Sequence, residues 1–239
     1  MEDRLVRFGL HLHLARLNAL RGWRPQGRFQ FDEMESFEHH RILKPLTAGV
    51  LVEGGSGFLV DSAVGTLRSR AGKSEASRRR REHFERRWGR RRSESGRVVV
   101  RCLKRLRGAR WGTELWTDLK GTYAVYARRN LPGVVHMRVS GKLPKGPDHP
   151  LFWVNHTQAK TRDGMSRLRR RTWCTTKKGR NLGYHFSIYA GWHNYVRWRT
   201  NRTRRTPAMV LGVAGRRLRV EELFAWRQDW GRYARRLGA

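Results

Sequence analysis

Residues 28–67 read RFQFDEMESFEHHRILKPLTAGVLVEGGSGFLVDSAVGTL. Polar and apolar residues alternate over 28–31, and apolar residues dominate 43–53 and 57–67, so this stretch predicts three strands. The glycine-rich turn at 54–57 joins the second and third strands as a hairpin. We therefore expect the sheet to begin with three consecutive antiparallel strands.

The rest of the sequence predicts alternating helices and strands around this meander. An amphipathic helix is predicted over 3–20, ahead of the first strand. The later predicted elements are helices at 98–106 and 121–130, strands at 114–118 and 134–139, and helices at 152–171, 181–198, 206–212 and 220–236. The order β-β-β-α-β-α-β-α, followed by additional C-terminal helices, predicts an α/β protein with a ribonuclease-H-like mixed sheet.

Charge restricts the class of partner. The chain has 239 residues, with 53 Lys and Arg against 19 Asp and Glu, which gives a formal net charge of +34. Self-repulsion on this scale argues against a free enzyme acting on small neutral substrates and favours a polyanionic partner. Nucleic acid is the expected partner, and an anionic membrane surface is the weaker alternative. No apolar run is long enough for a transmembrane helix.

Arginine is concentrated in a basic stretch at about 68–97, with its densest part at 78–92. Two interpretations stay open for it. It is either a solvated helix face or loop, or an arm that binds phosphates.

Two aspartates stand where a metal site in this fold would need them. Asp32 belongs to the first predicted strand, on the face opposite Phe29 and Phe31, and Asp118 ends the fourth. These strands are expected to be neighbours at the sheet centre, so the two carboxylates can converge. Magnesium would relieve their repulsion and could bind phosphate oxygens. Each aspartate alone is more often a surface or turn residue, and Glu33, Glu35 and Glu38 crowd the same strand end.

Several segments resemble bacterial insertion-sequence transposases of the DDE class, whose catalytic core is ribonuclease-H-like. The resemblance covers about residues 28–226, and its most specific part is RLRRRTWCTTKK at 167–178. The segments that carry it are FDEMESFEHHRILKPLTAGVLVEGGSGFLVDSAVGTL (31–67), LWTDLKGTYAVYARRNLP (115–132), WVNHTQAKTRDGMSRLRRRTWCTTKK (153–178), HFSIYAGWHNYVR (185–197) and NRTRRTPAMVLGV (201–213).

The resemblance implies a catalytic triad and a reaction. The first two catalytic acids fall on Asp32 and Asp118, and the third position is Asn155. These three residues would hold Mg²⁺ or Mn²⁺ for cleavage of the 3′ ends of a mobile element and for strand transfer into target DNA. Asn155 supplies a neutral carbonyl oxygen where the family's usual residue is charged. The chain is therefore either an active Asp-Asp-Asn variant or a copy in which Asn155 only caps a helix.

The resemblance also predicts an organisation and partners. Residues 1–27 would be a helical remnant of, or linker from, a missing DNA-recognition region, 28–178 the catalytic core with the basic insertion, and 179–239 a helical extension. Double-stranded DNA and a homo-oligomer on DNA are the implied partners. Candidate phosphate contacts are Arg162, Arg167, Arg169, Arg170, Arg171, Lys177 and Lys178.

Cys102 and Cys174, the only cysteines, suggest a reducing compartment. Together with the resemblance they predict a bacterial cytoplasmic, nucleoid-associated protein. The alternative function is a truncated or decayed, catalytically inactive protein that binds nucleic acid through its charge.

Overall fold

The structure, a computed structural model, describes residues 2–144, 146–169 and 174–225. Five strands and eight helices are present in these ranges. In chain order they are α1 (Glu2–Ala19), β1 (Arg28–Phe37), β2 (Pro45–Glu53), β3 (Leu59–Thr66), α2 (Glu75–Trp88), α3 (Ser95–Leu103), β4 (Glu114–Asp118), α4 (Gly121–Asn130), β5 (Val135–Val139), α5 (Phe152–Gly164), α6 (Gly179–Tyr195), α7 (Pro207–Leu211) and α8 (Val220–Ala225).

The five strands form one open mixed sheet in the order β3-β2-β1-β4-β5. The first three strands are antiparallel, with Phe31 opposite Leu51 and Leu51 opposite Asp61. Strand β4 runs parallel to both β1 and β5. The predicted mixed α/β architecture with an initial antiparallel meander is confirmed.

Two apolar layers cover the faces of the sheet. On one face Phe29 and Phe31 pack with α3 and α4, and the Phe31 and Tyr123 rings meet edge to face at 5.3 Å. On the other face Met34 and Val50 pack against residues of α5 and α6. Strand β1 is therefore central, and successive side chains along it enter opposite layers.

Helix α3 lies unusually close to the sheet because two glycines face it. A Cβ atom built on Gly49 would lie 2.7 Å from Val98 Cγ1, and one built on Gly65 would lie 2.8 Å from Val98 Cγ2. Ordinary side chains at these positions would push the helix outward. The glycines thus set the distance between α3 and the strands β2 and β3.

Helix α1 packs along α6 and is tied to the sheet by a buried ion pair. The Arg16 Nη2 atom donates to Asp61 Oδ1 at 2.6 Å, and Arg105 Nε donates to Asp61 Oδ2 at 2.7 Å. Burial alone would raise the pKa of Asp61, but the two guanidinium groups outweigh it and hold that pKa below its ordinary value. Asp61 is fully buried, so its charge depends on both arginines.

Helix boundaries differ from the sequence prediction in one important place. The helix predicted over 152–171 is wrong for residues 165–169, because α5 ends at Gly164 and a separate 3₁₀ turn follows at Ser166–Leu168. Residues 170 and 171 lie outside the described residues. Gly164 disfavours helix, and Met165 has extended backbone with φ −116° and ψ 106°. Arg167 and Arg169 therefore do not continue the helical face that carries Arg162.

Other elements agree more closely. Strand β4 and helix α4 have the predicted bounds, and Thr206 caps α7 as predicted. Strand β1 includes Asp32 and extends to Phe37, well beyond the alternating residues 28–31 that predicted it. The basic stretch contains α2, capped by Ser74, and none of its residues is buried. The predicted last helix begins as α8, and its residues 226–236 lie outside the described residues.

None of the helices in the described ranges combines the length and apolar character needed to cross a membrane.

Candidate active site

The pairing of β1 with β4 aligns the two aspartates. The parallel ladder matches Arg28 with Glu114 and Gln30 with Trp116. Asp32 and Asp118 are each two residues beyond that last pair, so they occupy equivalent positions on neighbouring strands. Because side chains two residues apart share a face, both carboxylates lie on the α5 side of the sheet. Asp32 is on the face opposite Phe29 and Phe31, as predicted.

Asp32 is held in a defined orientation. Its Oδ1 atom accepts a hydrogen bond from the Glu33 backbone N–H at 2.8 Å, and its Oδ2 atom accepts one from Gln158 Nε2 at 3.0 Å. Burial, together with the nearby negative charge of Asp118, raises the pKa of Asp32 to about 6, although these two hydrogen bonds act to lower it. The carboxylates of Asp32 and Asp118 therefore repel each other when both are ionised, and a bound cation would relieve this repulsion.

Asp118 is fixed from the loop that follows β4. The Lys120 backbone N–H donates to Asp118 Oδ1 at 2.9 Å. Asp118 is the last residue of its strand, paired with Val139 of β5. It therefore stands at the carboxyl edge of the two parallel strands, where sites in open α/β sheets usually form.

Gln30 positions the helix that carries the third residue. The Gln30 side chain is 2% exposed, and its Oε1 atom accepts the Val154 backbone N–H at 2.9 Å. This N–H belongs to the first turn of α5, where no intrahelical acceptor exists. Gln30 and Gln158 thus join β1 and α5 from both sides of Asn155.

Asp32 and Asn155 line one open cavity of about 650 Å³, together with Arg162, His149 and His156. Asn155 is half-buried. The structure therefore brings Asp32 and Asn155 together, with Asp118 next to Asp32 on the adjoining strand.

The oxygen atoms of these three residues suit a hard divalent cation. Two carboxylates and an amide carbonyl are ligand types that Mg²⁺ and Mn²⁺ accept. Within the described residues, no group of three or more His, Cys, Asp or Glu side chains is arranged to hold a metal ion. The candidate set accordingly consists of two carboxylates and one neutral oxygen.

The other acids near Asp32 are already engaged. Glu33 accepts hydrogen bonds from Thr47, Ser95 and Tyr123 and also pairs with Lys120. Glu35 forms two hydrogen bonds to Arg70, which hold its pKa below the ordinary value. Glu38 pairs with Arg91 at 2.8 Å and accepts the Gly179 backbone N–H. The three glutamates that crowd Asp32 in the sequence are therefore paired with other groups of the protein.

Two histidines complete the cavity wall. His149 is 7% exposed; its Nδ1 accepts the Leu151 backbone N–H at 3.0 Å, and its buried Nε2 has no hydrogen-bond partner among the described residues. Burial lowers the pKa of His156 to about 4, assisted by the positive charges of Lys160 and Arg197. His156 is thus neutral at pH 7. Sequence reasoning missed His149, Gln30 and Gln158, because nothing in their local sequence distinguishes them from ordinary loop, strand and helix residues.

A comparison of the chain with known family models finds no match, and a comparison with curated proteins finds none either.

The described members of the predicted set of phosphate contacts have different surroundings. Arg162 lines the cavity, whereas Arg167 Nε contacts His185 Nε2 at 3.2 Å on α6. Lys178 pairs with Glu2 at 3.0 Å, and Arg169 and Lys177 are exposed. Arg170 and Arg171 lie outside the described residues.

Proposed function

We propose that this protein is a DNA transposase that performs metal-dependent phosphoryl transfer, cleaving 3′ ends of an insertion sequence and joining them to target DNA. The observation that carries the proposal is the alignment of Asp32 with Asp118 across β1 and β4, opposite Asn155 on α5. Few acids are present in this cationic chain, and two of them lie at equivalent positions of neighbouring strands, where β4 ends.

The topology supports a ribonuclease-H-like core. The strand order β3-β2-β1-β4-β5, with the first three strands antiparallel and the last two parallel to β1, is the arrangement expected for that fold. Helices α3 and α4 on one face and α5 on the other also agree with it. The expected resemblance to DDE transposases and the observed topology therefore point to the same reaction class.

In this proposal Asp32, Asp118 and Asn155 hold Mg²⁺ or Mn²⁺. When bound, the cations would supply an activated water and would stabilise negative charge on phosphate oxygens. Neighbouring residues of the protein orient the two carboxylates. Gln158 and the Glu33 N–H fix the Asp32 carboxylate, and the Lys120 N–H fixes Asp118. Arg162 lies in the same cavity, where its guanidinium could bind a phosphate of the DNA.

The net charge of +34 supports DNA as the substrate. A homo-oligomer on paired DNA ends and a nucleoid-associated location in a bacterial cytoplasm belong to the same proposal, since transposases of this kind act on two ends at once.

Cleavage of DNA that carries the ends of the element around this gene tests the proposal. With Mg²⁺ we expect 3′-end nicking by the native protein, and a loss of at least about 100-fold for Asp32→Ala and for Asp118→Ala, with DNA affinity unchanged. Asp163→Ala is the matched control, because Asp163 is exposed on α5 and outside the site. Equal cleavage by the native protein and both site variants would refute the assignment.

A neutral third residue favours a second candidate, a non-catalytic protein that binds nucleic acid through its charge. Asn155→Asp distinguishes the two. If Asn155 is a metal ligand, the added charge strengthens metal binding and lowers the Mg²⁺ concentration needed for half-maximal cleavage. If native protein and Asn155→Asp both bind DNA and neither cleaves it with Mg²⁺ or Mn²⁺, the non-catalytic function stands.

A further inference from the structure

A second and larger cavity lies on the opposite face of the sheet from α5. Its volume is about 1090 Å³, and it runs between α3 and α4 to the side of α1. We call it the α3 groove. Five cationic side chains line it and no acidic side chain does; the cations are Arg97, Arg101, Lys104, Arg105 and Lys120.

The floor of the α3 groove is built by close packing. Gly96 of α3 lies against the Tyr126 hydroxyl of α4, so closely that any Cβ at position 96 would collide with it. Val100 and Thr122 also line the groove. The groove therefore follows from how the two helices pack and is not an accident of surface side chains.

Two cations of the groove have no acid to neutralise them. Arg97 pairs with Glu94 at 3.4 Å on the surface, Arg105 pairs with buried Asp61, and Lys120 pairs with Glu33. By contrast, neither Arg101 nor Lys104 has an acidic side chain within 4 Å anywhere in the described ranges. Both are exposed. They add uncompensated positive charge to a concave surface, where a polyanion would be bound most strongly.

The spacing of these cations suits a phosphodiester backbone. Arg97 and Arg101 lie one turn apart on α3, and Lys104 is the residue that follows its last turn. At a rise of about 1.5 Å per residue the three span about 10 Å. One DNA strand rises about 3.4 Å per nucleotide, so four successive phosphates, which are three rises apart, cover a similar length of about 10 Å.

The groove begins beside the candidate active site. Lys120 lines the groove, and its backbone N–H donates to Asp118. Ser95, also in the lining, donates through its hydroxyl to Glu33, the neighbour of Asp32. From there the groove follows α3 away from the carboxyl end of β4 toward His13 of α1.

We propose that the α3 groove binds the backbone of one DNA strand that leads away from the candidate active site. This inference rests on the proposed function only in taking DNA as the polyanion. It assigns Arg101 and Lys104 as its principal phosphate contacts, with Arg97 as a third. None of the three is among the seven phosphate contacts named from the sequence, although Arg97 ends the basic stretch for which a phosphate-binding arm is one interpretation.

Binding of a fluorescent 30-base-pair duplex, measured by anisotropy over a range of KCl concentrations, tests the groove. The double variant Arg101→Gln/Lys104→Gln removes two positive charges, and both substituted positions are exposed. The matched control is Arg4→Gln/Arg7→Gln, which removes two charges from exposed positions of α1 outside the groove lining. Thermal unfolding of both variants checks that the fold is intact.

We expect the groove variant to bind about tenfold more weakly at low salt and its slope of log K against log[KCl] to fall by about 2, since each phosphate contact contributes about 0.9. The control variant should change the affinity and the salt slope by much less than the groove variant does. Equal losses for the two variants would overturn the inference, because binding would then depend on total charge alone. Competition by polyglutamate as effective as that of DNA at equal charge would also overturn it.

The groove and the proposed function fail in different measurements. Asp32→Ala should still bind the duplex through the groove while losing cleavage. If the groove variant binds normally and cleavage depends on Asp32, the groove inference is wrong and the transposase proposal stands. If the groove variant loses DNA binding and neither the native protein nor any variant cleaves DNA, the transposase proposal is wrong and the groove inference stands.

Discussion

Asp32 is an acid whose surroundings favour its neutral form. Its pKa of about 6 means that the folded protein retains a proton that the unfolded chain releases near the ordinary value of 3.8. The cost of ionising Asp32 is absent below about pH 4, grows as the pH rises to 6 and is fully present above it. Raising the pKa of Asp32 from 3.8 to about 6 lowers the free energy of unfolding above pH 6 by at most about 3 kcal/mol.

We therefore expect Asp32→Asn to stabilise the metal-free protein at pH 8 by up to about 3 kcal/mol and to leave stability nearly unchanged at pH 4. Urea unfolding at the two pH values measures this difference. Added Mg²⁺ should stabilise the native protein but not the variant, since a ligand stabilises only a state that binds it. Glu35→Gln serves as a control of opposite sign, because Arg70 lowers the pKa of Glu35. Lower stability of Asp32→Asn at pH 8 would contradict the expectation.

Asp61 shows the reverse situation. Its carboxylate is ionised and fully buried between Arg16 and Arg105. Asp61→Asn would leave the Arg16 guanidinium, which is 2% exposed, without its counter-charge. We expect a loss of about 3–5 kcal/mol in the free energy of unfolding, measured by urea titration at pH 7. A loss below about 1 kcal/mol would show that the pair contributes little.

At the residue scale the sequence predicted Asp32 and Asp118 because strand alternation and strand order alone place them on one face. It could not predict that Glu33, Glu35 and Glu38 are taken up by other partners. Arg70 and Arg91, which pair with two of these acids, lie more than 30 positions away along the chain. Contacts at such separation depend on tertiary packing.

At the scale of elements, Gln30 connects β1 to α5. Its side-chain oxygen satisfies the Val154 N–H in the first turn of that helix. Replacing Gln30 by Leu preserves volume and burial but leaves this N–H without an acceptor. The position of Asn155, one residue further along, depends on the same turn.

We expect Gln30→Leu to lower the free energy of unfolding by about 1–3 kcal/mol. DNA cleavage should fall as well, because Asn155 would no longer be held against Asp32. Gln26→Leu is the control; Gln26 is exposed and bonds only Arg110 among the described residues, so a change within about 0.5 kcal/mol is expected. Unfolding titrations and cleavage rates of both variants measure this. Equal unfolding free energies and cleavage rates for the two variants would show that the Gln30 side chain does not position α5.

Periodicity predicted β4 and α4 correctly because turn-forming residues border them in the sequence, with Gly112 before β4 and Pro132 after α4. It failed at the end of α5, where apolar residues continue at helical spacing through Leu168 while the backbone leaves the helix after Gly164. The Cβ of any other residue at 164 would lie 3.2 Å from the Tyr189 ring. This restriction comes from α6 and is invisible in the local sequence.

At the scale of the whole molecule, the charge of +34 opposes the compact state. Screening by salt weakens repulsion between surface charges separated by more than about 8 Å at physiological ionic strength. Without DNA, raising KCl from 50 to 500 mM should therefore increase the melting temperature. With duplex DNA in excess, the same increase should lower it, because salt releases the bound polyanion. Thermal melts over this KCl series measure both trends, and parallel curves would contradict the proposed binding.

The packing of α1 against α6 also has a consequence for how the chain is made. Gly179, where α6 begins, lies 160 positions after Ala19, where α1 ends. At a synthesis rate of about 5–20 residues per second, roughly 8–32 s pass between the two on the ribosome. During that time the side of the first helix that carries Leu12, which lies against Gly191 of α6, lacks its native cover. A nascent chain of this kind is expected to need a chaperone during translation.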